Sequence, residues 1–382
     1  MRYRALGHTG LQVSEIALGC EGFNEMDHDA AMALFDKALA AGVNFMDMYT
    51  PNPQVRGYVA EVLRRGRDRF FVQSHLCAVW KDGQYECTRD AAEVEGGFED
   101  MLRQLDTGYI DVGMIHYVDS LATWRQLADG PVIAYARRQK ERGRIHFIGI
   151  SSHNPQVAQQ AVDSGLIDVL MFSINPCYDL QPASEDCEDL WADASYARQL
   201  TNFNPERVRL YESCQAQGVG ITVMKPFGGG DLLDAALSPA GKALTPIQCL
   251  HYALTRPAVA AVMAGVHSEK ELSEALAYET ADDTAKDYAT ALASFPRISW
   301  KGHCMYCGHC APCPMGIDVA AVTKFLNLAQ ASKEVPETVR EHYKALDHHA
   351  GECVQCGSCA SRCPFMVDAP ANMAQAAKIF GY

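Results

Sequence analysis

The chain has 382 residues, of which 48% are hydrophobic, and its formal net charge is −14. This length allows a large buried core and favours one large domain with a smaller one beside it. The acidic balance argues against nucleic acid and anionic membrane surfaces as partners, because both attract basic patches. The sequence shows neither an apolar signal segment nor a run of about 18 apolar residues, so we expect a cytoplasmic enzyme.

Short β-type segments alternate with helical patterns over residues 1–295, after a hairpin pattern at Tyr3–Ser14. The predicted strands are Ile16–Gly19, Val43–Met46, Phe70–Gln73, Ile110–Ile115, Ile145–Ile150, Val169–Ile174, Ile221–Met224 and Ala260–Met263. The predicted helices include Ala30–Ala41, Ala91–Leu105, Pro155–Ser164, Pro205–Gln217, Pro246–Thr255 and Glu269–Tyr278. This alternation predicts a (β/α)₈ TIM barrel. A doubly wound sheet is the competing fold, but the glycine fingerprint expected after its first strand is missing from the sequence.

Polar residues follow several predicted strands at the ends where such barrels carry their chemistry. Asp47 and Tyr49 follow the second strand, His75 the third, His116 the fourth and His153 the fifth. Together they predict an ionisable cluster at one rim, although a structural hydrogen bond explains any single histidine equally well. The long connection Pro176–Asn204 is interpreted as a lid over this rim or as a disordered insertion.

Two cysteine runs near the end of the chain hold eight of its 15 cysteines. The runs are Cys304, Cys307, Cys310 and Cys313, then Cys353, Cys356, Cys359 and Cys363, and proline follows the last cysteine of each. The second run has the ferredoxin spacing for a [4Fe–4S] cluster, and the first lacks one residue before its fourth cysteine. Zinc is the alternative, but it does not explain two evenly stepped runs that both end in Cys-Pro.

In two-cluster ferredoxins the fourth cysteine of each run binds the other run's cluster. This rule assigns one cluster to Cys304, Cys307, Cys310 and Cys363, and the other to Cys353, Cys356, Cys359 and Cys313. Helical patterns at Val319–Ala331, Pro336–Leu346 and Ala369–Phe380 predict a helical ferredoxin-like domain over residues 296–382. The linker Phe295–His303, when extended, is long enough to reach from the end of the last barrel helix to the rim, so we expect both clusters near the active-site rim.

The hairpin and four strand segments resemble the aldo/keto reductase superfamily, and more narrowly its branch with a C-terminal ferredoxin-like domain. The segments that carry the resemblance are Tyr3–Ser14, Gly42–Asp47, Tyr109–His116, Gly143–Ser151 and Gly220–Pro226, together with the cysteine runs. The resemblance implies a catalytic aspartate, tyrosine, lysine and histidine.

Two members of that catalytic set are matched and two are replaced. Asp47 and His116 match the aspartate and the histidine, whereas Asn52 and His75 stand at the tyrosine and lysine positions. Tyr49 from a shifted loop, or the imidazoles of His75 and His116, are therefore the candidate proton donors. The alternative is that the usual carbonyl reductase activity is lost and the barrel serves another reaction.

The resemblance also implies nicotinamide binding, with NADP(H) as the candidate, at the ends of strands five to eight. The corresponding positions are Ser151, Ser152, Asn175, Lys225, Gly228, Gly229, Gly265, Ser268 and Lys270. Ser268 also begins a capping box with Glu271, which explains it without a ligand. Glu274-Ala275 stands where the family has a Glu-Asn pair.

Three functional hypotheses follow. The first is an iron–sulfur oxidoreductase that acts on a small organic substrate, with electrons passing through two [4Fe–4S] clusters and with NADP(H) or a redox partner protein. The second is a nicotinamide-independent reductase whose barrel binds substrate or flavin. The third is an electron carrier whose barrel is a docking body. The sequence does not encode the identity of the substrate.

Overall fold

The structure of the protein, a computed structural model, describes residues 1–196, 200–201, 203–294, 298–299, 301–331 and 334–382. Its strands are β1 (Tyr3–Ala5), β2 (Gln12–Ser14), β3 (Ile16–Gly19), β4 (Phe45–Met48), β5 (Phe71–Leu76), β6 (Ala78–Lys81), β7 (Gln84–Cys87), β8 (Ile110–Ile115), β9 (Ile145–Ser152), β10 (Val169–Ser173), β11 (Leu200–Thr201), β12 (Gly220–Met224), β13 (Val259–Gly265) and β14 (Ile298–Ser299). The predicted domain boundary between residues 295 and 296 lies outside the described residues.

The helices alternate with the barrel strands and then continue into the C-terminal region. They are α1 (His28–Ala40), α2 (Pro53–Arg64), α3 (Ala91–Gln104), α4 (Leu121–Ala128), α5 (Pro131–Glu141), α6 (Pro155–Asp163), α7 (Asp193–Tyr196), α8 (Pro205–Gln217), α9 (Pro246–Leu254), α10 (Glu269–Leu276), α11 (Asp283–Lys286), α12 (Tyr288–Ala293), α13 (Val319–Ala331), α14 (Glu337–Lys344), α15 (Ser358–Arg362) and α16 (Ala369–Phe380). None of the helices that the structure describes has the length and apolar character needed to cross a bilayer.

The predicted (β/α)₈ barrel is confirmed. Parallel strands close into a barrel in the order β10-β12-β13-β3-β4-β5-β8-β9. The antiparallel hairpin β1–β2 covers the end where the strands begin, and its Leu6 and Val13 pack with Phe45, Met114 and Met171 from the barrel interior. The opposite rim, where the strands end, is left for the loops.

Four barrel strands extend further at their C-terminal ends than the sequence pattern predicts, and two of them carry Asp47 and His75. The second barrel strand is Phe45–Met48 instead of Val43–Met46, and the third is Phe71–Leu76 instead of Phe70–Gln73. Asp47 pairs with Gln73 in the parallel register, so Asp47 and His75 lie within strands and not in loops. Their backbones are therefore held by the barrel ladder, which fixes both side chains.

The C-terminal helices form a unit with its own core. Val322, Leu326, Tyr343, Met373 and Phe380 are buried together there. Helix α13 of this unit packs against α8 on the outside of the barrel.

The first cysteine run is docked directly on the barrel wall. Cys304 and Cys307 pack against the barrel's buried cluster, together with Cys363 of the second run. The carbonyl oxygen of Met305 accepts hydrogen bonds from Arg256 and Tyr288, which are both buried in that wall. Because Arg256 lies just before β13 begins and α13 packs against α8, the described contacts place the unit on the flank of the barrel, towards the end where the strands begin. The expectation that the clusters lie near the rim is therefore wrong.

Candidate functional site

A chain of hydrogen bonds runs from the barrel interior to the rim. His75 Nε2 lies 3.0 Å from Asp47 Oδ1, and His75 Nδ1 lies 2.7 Å from His116 Nδ1. His116 Nε2 lies 2.8 Å from the hydroxyl of Tyr85. Asp47 is 3% exposed and Tyr85 is 40% exposed, so the chain connects a buried carboxylate to a solvent-accessible phenol.

Asp47 is held in place from below by two further side chains. Gln73 Nε2 donates to Asp47 Oδ1 at 2.8 Å, and Thr222 Oγ1 donates to Gln73 Oε1 at 3.2 Å. The carboxylate therefore has a fixed orientation towards His75.

The hydrogen bonds of the chain allow two arrangements of protons. With neutral imidazoles, His75 donates through Nε2 to Asp47, His116 donates through Nδ1 to His75, and Tyr85 donates to His116 Nε2. With one extra proton on His75, His75 donates through Nδ1 to His116 Nδ1, and His116 donates through Nε2 to the Tyr85 oxygen. The Tyr85 hydroxyl hydrogen is then free to point outwards. Asp47 Oδ1 accepts the hydrogen bond from His75 Nε2 in both arrangements.

Burial keeps His116 neutral in the resting arrangement. It lowers the pKa of His116 well below its ordinary value, and the nearby His75 and Arg89 act in the same direction. Arg89 Nη2 also donates to the backbone oxygen of His116 at 2.8 Å, which fixes the strand end. His116 is therefore suited to pass a proton and not to store one.

Tyr49, a candidate proton donor, and Asn52, which the sequence analysis placed at the expected tyrosine position, are both held by other contacts. The Tyr49 ring stacks on His116 with centroids 5.8 Å apart, and its hydroxyl donates to Glu21 at 3.4 Å. Burial, followed by Glu21, raises the pKa of Tyr49, and its hydroxyl hydrogen points to Glu21 and not to either histidine. Asn52 caps α2 through a 3.0 Å hydrogen bond from the Gln54 amide, which explains its presence structurally.

The sequence analysis missed Tyr85. It lies on the hairpin β6–β7, which folds back over the rim and pairs Trp80 with Tyr85. The two-residue turn is Asp82-Gly83, with φ values of 49° and 80°. Asp-Gly between alternating residues is a recognised hairpin signal and could have revealed this element. Burial, followed by Cys87, raises the pKa of Tyr85 to about 12.

Two of the predicted nicotinamide residues have protein partners at the end of β9. Ser151 Oγ accepts from the Tyr117 amide at 2.8 Å. Ser152 Oγ donates to Asp119 at 2.9 Å, which commits its hydroxyl hydrogen. Asp119 Oδ2 also lies 2.8 Å from His153 Nδ1, so the rim histidine that follows β9 belongs to this second polar group.

The other predicted nicotinamide positions line the ends of β10, β12 and β13. Asn175 Nδ2 donates to the Lys225 carbonyl at 3.0 Å, and Lys225 Nζ lies 4.9 Å from the centre of the Trp191 ring. Gly228 and Gly229 have φ values of 63° and 75°, a left-handed backbone that favours glycine and allows close approach.

The last predicted positions follow β13. Gly265 ends that strand and is exposed. Ser268 caps α10 by accepting from the Glu271 amide at 3.2 Å, while Lys270 Nζ lies 3.7 Å from Glu274. These contacts explain the presence of Ser268 and Lys270 by structural roles within the protein, without a ligand.

The cysteines form two separate groups. Cys313, Cys353, Cys356 and Cys359 line one small cavity together with Ile317 and Met373. This group mixes the last cysteine of the first run with three of the second, in agreement with the crossed assignment from the spacing. Four sulfur donors around one apolar cavity fit a [4Fe–4S] cluster.

Cys304, Cys307, Cys310 and Cys363 belong to the other predicted set. Burial raises the pKa of Cys304 to about 12, and the neighbouring thiols of Cys307 and Cys310 act in the same direction. Cys363 likewise acts to raise the pKa of Cys307, whose main cause is burial. Several thiolates so close together and so deeply buried are unfavourable by themselves, because their negative charges repel and are poorly hydrated. A bound metal compensates these charges, so the group fits the predicted cluster site.

A buried polar network connects the first cysteine run with the end of β10. The guanidinium of Arg256, which holds Met305, lies 4.5 Å from the centre of the Tyr252 ring. Tyr252 donates to Asp179 Oδ2 at 2.6 Å, and Tyr211 donates to Asp179 Oδ1 at 2.5 Å. Asp179 follows β10, so polar and aromatic groups are continuous from the flank of the barrel to its rim.

Comparison with known proteins agrees with both parts of the chain. Residues 15–246 match the aldo/keto reductase family, and residues 303–368 match the 4Fe-4S dicluster domain. An uncharacterized oxidoreductase of Bacillus subtilis, YqkF, is 25% identical over 323 residues, which cover 79% of this chain and 99% of that protein. L-galactose dehydrogenase of Arabidopsis thaliana is 23% identical over 309 residues, 72% of this chain and 88% of that enzyme.

A solved structure supports the fold. The holo form of aldo-keto reductase AKR11C1 from Bacillus halodurans has a TM-score of 0.58 at 21% identity, covering 74% of this chain and 92% of its own. The family match spans more than half of the chain, and the barrel topology agrees with it. The chain therefore belongs to the aldo/keto reductase family and carries a C-terminal 4Fe-4S dicluster domain.

Proposed function

We propose that the protein is an iron–sulfur oxidoreductase in which the chain Tyr85–His116–His75–Asp47 transfers a proton to or from a small organic substrate at the barrel mouth. The continuous hydrogen bonding of this chain is the observation that supports the proposal. Histidine titrates near neutral pH and is the most common proton-transfer residue in enzymes. The substitutions at the tyrosine and lysine positions would then be functional replacements.

Each residue has a distinct role in this proposal. Tyr85 hydrogen-bonds to the substrate oxygen and gives it a proton when the substrate is reduced. His116 returns a proton to Tyr85 through Nε2 and takes one from His75 through Nδ1. His75 passes the proton on through Nδ1, and Asp47 orients the His75 ring through its hydrogen bond with Nε2. In the oxidative direction the same protons move inwards, so one chain of residues serves both directions.

The two cysteine groups would hold two [4Fe–4S] clusters, which supply one-electron transfer when bound. Cys304, Cys307 and Cys363 pack against the barrel wall, whereas Cys356 of the second group is exposed. We infer that the first site faces the barrel and the second faces a redox partner protein. The buried network from Arg256 through Tyr252 to Asp179 supports contact between the first site and the rim.

NADP(H) fits the rim only in part. The left-handed backbone at Gly228 and Gly229 is suited to a phosphate, and Lys225 lies beside it. Ser152, by contrast, already donates to Asp119, so it is not available to the carboxamide. We therefore derive no hydride step through a nicotinamide and keep NADP(H) as a candidate electron source, with flavin as the alternative.

Titration of anaerobically purified protein with NADPH tests the electron source. Loss of the clusters' visible absorbance is expected if NADP(H) binds and reduces them. An unchanged spectrum would exclude NADPH as the reductant, and a flavin spectrum in the purified protein would favour the alternative cofactor.

Substitutions in the proton chain test the chemistry once a substrate has been found by screening. We expect His75→Ala and His116→Ala to lower kcat by about 10²- to 10⁴-fold, the usual contribution of general acid catalysis, with unchanged cluster absorbance. Tyr85→Phe should have an effect of the same order, and Tyr49→Phe serves as the matched control. If Tyr49→Phe alone abolishes turnover, the proposed chain is wrong and Tyr49 is the proton donor.

A further inference from the structure

A cavity of about 680 Å³ lies between the barrel and the dicluster domain, away from the candidate active site. Its walls come from the β1–β2 hairpin (residues 4–8), the segments 214–219 and 254–259 that precede β12 and β13, and helices α13 and α14. Because β12 and β13 begin here, the cavity lies at the end of the barrel opposite to the rim. Its occupant would touch both domains.

The charge of the cavity wall is opposite to that of the chain. No acidic side chain is among the described residues that line the cavity, although the chain has 47 Asp and Glu against 33 Lys and Arg. The wall carries five basic side chains instead, which are Arg4, His8, Arg256, Lys324 and His342. Such a wall favours a negatively charged ligand.

Three of the five basic side chains already have partners. Arg4 Nε lies 2.6 Å from Glu15 Oε1, and His8 Nε2 lies 3.1 Å from Asp168 Oδ1. Arg256 donates to backbone carbonyl oxygens, including that of Met305. These three groups line the cavity and make its electrostatic potential more positive, but most of their hydrogen-bond donors are already used within the protein.

Lys324 on α13 is different. Within the described part of the chain its ammonium group forms neither a hydrogen bond nor an ion pair, and the side chain is partly buried. Burial, followed by Arg4 and Arg256, lowers the pKa of Lys324 to about 8. A partly buried ammonium group without a counter-charge costs free energy, and an anion in the cavity would offset that cost.

The remaining wall is apolar and lies around Lys324. It includes Leu254, Val259, Phe325, Leu328 and Val339. We propose that this cavity binds a small organic anion, with a carboxylate against Lys324 and an apolar body of several carbons against Phe325 and Leu328. Both parts are required, because the cation selects the head group and the apolar wall excludes water from the body of the ligand.

Calorimetric titration of the anaerobically purified holoprotein tests this proposal with octanoate as the probe. Octanol has the same apolar body without charge, and acetate has the same charge without the body. We expect octanoate to bind at least roughly 10-fold more tightly than either control. No detectable binding up to about 10 mM octanoate, or equal binding of octanol or acetate, would overturn the proposal. Tighter binding of octyl phosphate than of octanoate would overturn the choice of a carboxylate head group.

Two variants locate the bound anion. Lys324→Gln removes the cation and should weaken octanoate binding by roughly 10- to 100-fold, whereas Lys324→Arg should retain binding. Thr338→Asp places a carboxylate on the exposed lining residue of α14, does not disturb a buried group, and should weaken binding to a similar extent. Lys378→Gln, an exposed lysine on α16, is the matched control. Unchanged affinity in both Lys324→Gln and Thr338→Asp would refute the site.

Discussion

Glu212 allows a quantitative test of the packing on the barrel flank. Its side chain lies on α8 and is 5% exposed, and its Oε1 has no hydrogen-bond partner among the described residues. Burial raises the pKa of Glu212 from its ordinary value of 4.5 to about 7. We predict that Glu212→Gln, which has the shape of the neutral acid, stabilises the folded protein above neutral pH.

The magnitude follows from the coupling between proton binding and folding. Between pH 4.5 and about pH 7 the folded protein keeps a proton on Glu212 that the unfolded chain releases, so the stability of the wild type falls as the pH rises. One pKa unit corresponds to about 1.4 kcal/mol, which gives a full cost of about 3 kcal/mol above pH 7. The glutamine side chain of the variant does not ionise, so the variant avoids this cost.

Thermal unfolding under anaerobic conditions, followed by circular dichroism, measures the effect. The stability advantage of the variant should grow by about 2 kcal/mol between about pH 5.5 and about pH 8, a change in Tm on the order of a few degrees. Glu206→Gln in the first turn of the same helix is the control and should show no such trend. An advantage that does not grow with pH would mean that Glu212 has a partner for its charge, and the reasoning would fail.

Three further predictions concern the clusters and the rim. Cys307→Ser should remove the first cluster before the second, so that the iron content falls from about eight to about four per chain; zinc in anaerobically prepared wild type would contradict the cluster assignment. Arg256→Met leaves the Met305 carbonyl with Tyr288 as its remaining donor and should cost on the order of 2 kcal/mol of stability, whereas an unchanged Tm would show that this contact matters little. Asn52→Ala removes the cap of α2 and should cost about 1 kcal/mol without changing kcat; a large loss of turnover would assign Asn52 a catalytic role.

The barrel could be predicted because most positions of its strands are buried, on both faces of the sheet. Ile110–Ile115, for example, is buried at every position and appears in the sequence as a short apolar run. The ends of the strands were less predictable, because a charged residue after an apolar run normally indicates that the strand has ended and a loop has begun. Asp47 remains in β4 because Gln73 and His75 satisfy its carboxylate inside the barrel, and sequence spacing does not show these partners.

Contacts between distant segments were the least predictable part. The sequence placed His75 and His116 at one rim, and their nitrogens are within hydrogen-bonding distance, but Tyr85 reaches them only because a hairpin folds back. The prediction that the cysteine runs lie near the rim was wrong for a related reason. Linker length limits how far the runs can reach, whereas their direction is set by Arg256 and Tyr288, which lie well before them in the sequence.

The docking of Met305 on the barrel wall has a consequence for biosynthesis. Arg256 and Tyr288 precede the first cysteine run in the chain, so the wall that receives this run is translated before the run itself. The second run instead depends on a helical core that is complete only when residues up to Phe380 have been made. The site against the barrel still needs Cys363 from the second run. We therefore expect its wall to be organised first during synthesis, and both sites to be filled only after the second run has been made.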